Sequence, residues 1–194
     1  KLFKLFHGDF IDHWNSVRGK YAGRAGFVIG NGPSLRYEDL GRINNVISIA
    51  SNKIYLAYPH TSWRPSFVTV IDNLVWADIK GTLQEHFDEV IVPWSMDLRG
   101  CNCKLKAYRY QGVVSGYCDK KEAPKFSNDL TKGIFGGHSV TYDNLQLAVH
   151  LGLNPIYLIG CDHYYSGEKS DHNGNPVASS TAQNHFVKNY RKPG

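Results

Sequence analysis

The sequence predicts an α/β fold, a mostly parallel Rossmann-like sheet with helices on both faces. Three observations predict it. Short apolar runs recur at 26–30, 45–50, 67–71, 89–93 and 156–160. Four of the five stop abruptly at glycine or polar residues, as buried parallel strands do. Stretches with helical character separate several of them, and that alternation implies a sheet covered on both faces. The chain has 194 residues and is 42% hydrophobic, which is enough for one domain with a sizeable core. Residues 1–194 therefore read as a single domain.

The elements follow in order. In residues 1–23, Phe6, Phe10, Ile11, Trp14 and Val17 have helical spacing and predict a peripheral helix laid on the sheet. Strand one is 26–30, with a helix or turn at 33–40. Strand two is 45–50, with a short helix at 54–57. Strand three is 67–71, a helix covers 74–87, and strand four is 89–93. Residues 94–133 are the least regular. They hold three cysteines, Pro124 and several glycines, and read as a lid-like insertion with short strands near 104–110. The clearest helix is 139–151, with an apolar face of Leu145, Leu147, Ala148, Val149 and Leu151, Ser139 as N-cap and Gly152 as terminator. Strand five is 156–160. Residues 166–194 are polar, rich in Gly, Ser, Asn and Lys, and read as a flexible tail that stops inside a loop.

Strand ends are where ligands bind in such sheets. The first apolar run leads into Gly30-Asn31-Gly32-Pro33-Ser34. Glycines there can take positive φ and let backbone approach a ligand. Pro33 suits the first turn of a helix, and a helix N-terminus suits a phosphate. Asn52, Asp72 with Asn73, and Asp162-His163-Tyr164 follow the other runs. Amides at strand ends both donate and accept, so Asn52 and Asn73 are candidates to read a base or ribose; helix capping is the plainer role for Asn52 and Asp72. Asp162 either caps a turn, joins His163 and Tyr164 in one pocket, or holds Mg²⁺ between phosphates. His138 and Ser139 open the clearest helix, as an anion site or as a simple cap. His185 and His172 lie in the polar tail, and an imidazole near neutrality suits a general base.

Several classes are excluded or disfavoured. The net charge of +5 favours anionic ligands, but the basic residues are scattered rather than striped, which argues against nucleic acid. Cys101-Asn102-Cys103 with Cys118 lacks zinc-ligand spacing, and reduced thiols fit a cytoplasmic protein, free or peripheral to the membrane. No apolar run is long enough to span a bilayer. There is no Gly-x-Ser-x-Gly elbow. The third glycine and the downstream acid of a dinucleotide fingerprint are missing too.

Gly30-Asn31-Gly32-Pro33-Ser34-Leu35, Gly137-His138-Ser139-Val140-Thr141-Tyr142 and Ile156-Tyr157-Leu158-Ile159-Gly160-Cys161-Asp162-His163-Tyr164 together carry a resemblance. The chain resembles the 6-hydroxymethylpterin diphosphokinase-like family, which includes the motility accessory factor proteins of flagellin glycosylation. It is more distantly similar to Campylobacter-type sialyltransferases. The resemblance spans about 24–75 and 134–165. It implies a nucleotide or nucleotide-sugar donor and a glycan or protein hydroxyl as acceptor. By the sialyltransferase likeness, Gly32, Ser34 and Asn52 match donor contacts, Tyr164 matches a contact to the donor phosphate, and His185 is the nearest counterpart of the base. The expected activity is glycosyl transfer from a CMP-type donor, with no cofactor. The alternatives are diphosphate transfer from ATP with Mg²⁺, and a non-catalytic nucleotide- or sugar-binding module. An oligomer is compatible with each.

Overall fold

A computed structural model describes residues 2–113, 125–137, 139–162, 169–170, 176–177, 184–188 and 190. The first half holds α1 (Leu2–Val17), β1 (Gly26–Ile29), α2 (Tyr37–Arg42), β2 (Ile47–Ser51), β3 (Phe67–Thr69), α3 (Asn73–Ile79) and β4 (Glu89–Pro93). The second half holds β5 (Lys104–Tyr108), β6 (Tyr110–Val113), β7 (Ile134–Gly136), α4 (Val140–His150), β8 (Ile156–Ile159), β9 (Lys169–Ser170) and β10 (Pro176–Val177). Six strands form one sheet in the order β5-β4-β3-β2-β1-β8, and every neighbouring pair is parallel. β6 and β7 form a separate parallel ladder, and β9 and β10 an antiparallel one. The α/β Rossmann-like expectation holds.

Alternation along the strands explains why both faces are covered. Ile29, Ala50, Val68, Val90, Val92 and Ala107 point to one face, where Leu40 of α2 and Val75, Trp76 and Ile79 of α3 meet them. Val28, Ile49, Ile91 and Tyr108 point to the other, against Trp14 of α1 and Leu147, Ala148 and Leu151 of α4. Successive side chains on a strand must leave on opposite faces, so a continuous apolar run serves two cores. Each large side chain so buried stabilises by about 2 kcal/mol.

Four expectations change in detail. The helix or turn expected at 33–40 is a turn and then a helix: residues 32–35 close a turn with Leu35 N–H donating to Gly32 O at 3.1 Å, and α2 begins only at Tyr37. Pro33 is the second residue of that turn, a position its fixed φ favours. The helix expected over 74–87 is α3 followed, past Gly81, by a short 3₁₀ turn at Leu83–Glu85. Within 94–133, expected to be an insertion, Lys104–Tyr108 is the edge strand of the main sheet. Trp14 Nε1–H of α1 donates to Ala107 O at 2.7 Å and fastens that edge. Within the polar tail, Asn184–Lys188 and Tyr190 pack on the sheet. Phe186 and Tyr190 are buried in the α2/α3 core.

α4 buries a face different from the one its apolar residues outline. Asp143, Asn144, Gln146, Leu147, Ala148 and His150 are buried, while Val149 is exposed. Each polar member makes at least one hydrogen bond, although Asp143 Oδ1 and Asn144 Nδ2 are buried without a partner among the described residues. Thr69 Oγ1–H donates to Asn144 Oδ1 at 2.7 Å. Gln146 accepts from Ser127 and Phe135 N–H and donates to Phe135 O. His150 spans Leu130 N–H and Trp14 O. A buried polar group is tolerated when it is paired in this way.

The candidate cleft and the family of the chain

β1 is left through α2 on one face of the sheet, and β8 is entered from α4 on the other. The connections diverge between β1 and β8, which opens a crevice at the carboxyl ends of these strands. A cleft of about 340 Å³ lies there. Gly30, Asn31, Gly32 and Pro33 line it from β1, Asn52 from β2 and Asp72 from β3. Ser139 at the start of α4, Asp162 after β8, and His185 and Tyr190 near the end of the chain also line it. The structure thus brings together nine residues singled out from the sequence.

The glycines are there for close approach rather than for positive φ. Neither Gly30 nor Gly32 has a positive φ. Gly30 N–H donates to Ile159 O and Gly32 N–H to Gly160 O, each at 2.9 Å. A Cβ on Gly30 would stand 2.1 Å from Gly160 O, and one on Gly32 1.9 Å from Asp162 Oδ2. The β1 turn and the β8 turn are therefore pressed together backbone to backbone.

The expected helix-start anion site is replaced by an internal one. Ser34 is exposed, and its N–H donates to Asp162 Oδ2 at 3.3 Å. A carboxylate of the chain itself meets the turn amide. Asp72 Oδ1 accepts Leu74 N–H at 2.7 Å and Val75 N–H at 3.2 Å, so it caps α3 as well as facing the cleft. Asn73 is exposed and is not among the lining residues. Ser139 Oγ accepts Thr141 N–H at 3.3 Å and caps α4. His138, His163, Tyr164 and His172 lie outside the described residues.

Two residues that line the cleft carry an amide oxygen that is buried and without a hydrogen-bond partner among the described residues. Asn31 Nδ2–H donates to Ser51 O at 3.1 Å, which fixes which end of the amide is which and leaves Oδ1 buried and unbonded. Asn52 takes φ of 55°, a left-handed conformation that asparagine tolerates. Its N–H donates to Thr69 O at 2.8 Å, and its Oδ1 is likewise buried and unbonded. A buried acceptor with no partner costs about 1–3 kcal/mol, and a ligand that donates there would recover it. Among the described lining residues there are two carboxylates, one imidazole and no lysine or arginine.

Sequence reasoning missed Lys53, Tyr190 and Cys161. Cys161 lines the cleft, and burial pushes its thiol up from the usual range. Tyr190 and Phe186 had a signal: two aromatics four apart in an otherwise polar tail. Asp143 was missed as well. It is buried beside α4's start and accepts the hydroxyls of Tyr108 and Tyr110. Burial pushes its carboxyl up to about 6, against the lowering effect of the two phenols. Three or more His, Cys, Asp or Glu placed to hold a metal ion do not occur together among the described residues. No helix among them is long and apolar enough to cross a membrane.

Fold and cleft define the class: a Rossmann-like α/β protein with a polar cleft at its switch point. Residues 6–168 match the family model described as 6-hydroxymethylpterin diphosphokinase MptE-like. The chain belongs to that family, whose description suggests a transferase-like function of unknown specificity. Comparison with curated proteins and with solved structures gave no significant match.

Proposed function

We propose that the protein is a transferase that moves a diphosphate group from a nucleoside triphosphate, bound with Mg²⁺, to a hydroxyl acceptor. The observation that carries this reading is the charge of the cleft. Asp72 and Asp162 line it, and no described lysine or arginine does. A bare polyphosphate would be repelled by the two carboxylates. The same carboxylates are hard oxygen donors, which fits Mg²⁺, an ion that usually takes one or two carboxylates and fills its shell with phosphate and water. Asp72 and Asp162 are the residues to hold it. Bound there, the ion would neutralise charge on the transferred phosphates.

The remaining work falls to the chain. The unpartnered Asn31 and Asn52 carbonyls accept from donors on the base or ribose. His185 takes the proton of the acceptor hydroxyl. The acceptor oxygen bonds to the β-phosphorus, the bridging bond to the α-phosphate breaks, and the nucleoside monophosphate leaves.

A second reading is glycosyl transfer from a CMP-type donor without metal. What favours it is that Gly32 and Asn52, which match donor contacts in the sialyltransferases, line one cleft together with His185. In that reaction the acceptor oxygen bonds to the anomeric carbon and CMP leaves. Thermal unfolding in the presence of ATP, ATP with Mg²⁺, CMP and a CMP-sugar separates the two, because a ligand that binds only the folded state raises the midpoint by mass action. Stabilisation by ATP only with Mg²⁺, lost in Asp162→Asn, supports the first. Metal-independent stabilisation by CMP replaces it with the second. No shift with any of them leaves neither.

A further inference from the structure

His185 reaches the cleft from a segment that the sequence marks as a loose tail, so something must hold it there. Three contacts do. The imidazole stacks on the Tyr190 ring, with centroids 3.9 Å apart and planes 7° from parallel. Tyr190 is buried, and it is fastened to Lys53 at both ends. Its hydroxyl accepts Lys53 N–H at 3.4 Å, and its carbonyl accepts Lys53 Nζ–H at 3.0 Å. Phe186, next to His185, donates its N–H to Asn31 O at 3.1 Å.

The attachment points are informative. Asn31 carries one of the two unpartnered amide oxygens, and Lys53 directly follows Asn52, which carries the other. Lys53 is 8% exposed. Its ammonium pairs with Asp78 of α3. A buried lysine needs such pairing, and here the pairing also spends one of its protons on the Tyr190 carbonyl. The Asp78 partner keeps 34% of its side chain in solvent, so the pair is anchored in the protein but not sealed within it. The same two strand ends thus present the donor-reading amides and hold the segment that carries the imidazole.

We propose that Lys53 and Tyr190 are positioning residues that set His185 in the cleft, so that donor site and base are built on one frame. The proposal rests on the reading of His185 as the base, but its geometry is testable without any turnover. The probe is the imidazole Cε1–H resonance of His185 in uniformly ¹³C-histidine-labelled protein, assigned with His185→Gln. Stacking on the Tyr190 face moves this signal upfield in the wild type. Tyr190→Phe keeps the ring and is expected to keep the shift. Tyr190→Leu and Lys53→Met are expected to lose it. Lys53→Met is the safer variant for folding, because Asp78 keeps 34% of its side chain in solvent and can hydrate there.

The chemical consequence is read on the same proteins. Binding of ATP with Mg²⁺, by calorimetry, is expected to change less than about threefold, since the Asn31 and Asn52 wall stays. The transfer rate is expected to fall about a hundredfold, the size of effect that an ångström of misplacement produces. A His185 resonance that is unmoved in both Tyr190→Leu and Lys53→Met overturns the positioning role. If the wild type binds no nucleotide, the transferase reading falls, while the resonance still decides whether Lys53 and Tyr190 place His185.

Discussion

The two walls of the cleft are built in opposite ways. The β1–β8 wall is backbone against backbone. Gly30 lies so close to the Gly160 carbonyl that no side chain fits between them, and Gly32 faces the same carbonyl and the Asp162 carboxylate. The 184–190 wall is side chain against side chain, a stack of His185 on Tyr190 with Phe186 behind. The first wall is fixed by two neighbouring strands of one sheet. The second is tied to that sheet by a few hydrogen bonds and two buried rings. A fixed wall suits recognition of a donor, and a tied wall suits delivery of a proton-accepting group.

The strongest way to break this contrast is to force the fixed wall apart. Gly30→Ala places a Cβ against the Gly160 carbonyl, which belongs to rigid backbone, and overpacking of this kind costs about 3 kcal/mol. Gly32→Ala meets mainly the Asp162 side chain, which can turn away, so it is expected to cost less in chemical denaturation. Equal losses in the two variants would deny that the Gly30 approach is the tighter constraint.

A change outside both walls serves as the reference. Asp143 has a folded-state pKa of about 6 against an ordinary 3.8, raised by burial. The folded protein therefore holds a proton that the unfolded chain releases. Stability from this group is present below about pH 4 and is lost as pH rises through about 6. The two-unit shift corresponds to about 3 kcal/mol at most. Asp143→Asn is expected to gain on the wild type by up to that amount between pH 4 and pH 7, read from urea midpoints at each pH. A constant difference across that range would contradict it.

Smaller effects sharpen the comparison. Asp72→Ala removes the N-cap of α3 and is expected to cost about 1 kcal/mol. If Asp72 also holds the metal, the same variant weakens nucleotide binding more than Ser139→Ala, which removes the cap of α4 and one neutral hydroxyl from the cleft lining. The smallest effect is in hydrogen exchange. The Gly30 and Gly32 amides, bonded to the β8 end, are expected to exchange only on global opening, and the Phe186 amide through a local opening of lower energy. Equal protection would mean that the second wall is as fixed as the first.

The two walls also differ in how far the sequence reveals them. β1 and its turn are legible because an apolar run that ends in Gly-x-Gly has few structural outcomes. Even there, the reason for the glycines is tight packing rather than left-handed backbone, which only the neighbouring β8 turn discloses. Short strands are legible near 104–110, but the place of Lys104–Tyr108 in the main sheet is hidden because Lys104 and Lys106 interrupt its apolar pattern, as charges on an edge strand do. The buried face of α4 is hidden because Asp143, Asn144, Gln146 and His150 read as solvent-facing until Tyr108, Thr69, Phe135 and Leu130 supply their partners. The 184–190 wall is hidden for a similar reason. Its order comes from Lys53 and Asn31, more than 130 residues away in the chain.

Titration calorimetry of ATP into the protein, with and without Mg²⁺, tests the central claim most directly. The expected result is binding that needs Mg²⁺ and disappears in Asp162→Asn. Binding of ATP or CMP that is indifferent to Mg²⁺ and to Asp162 would contradict it.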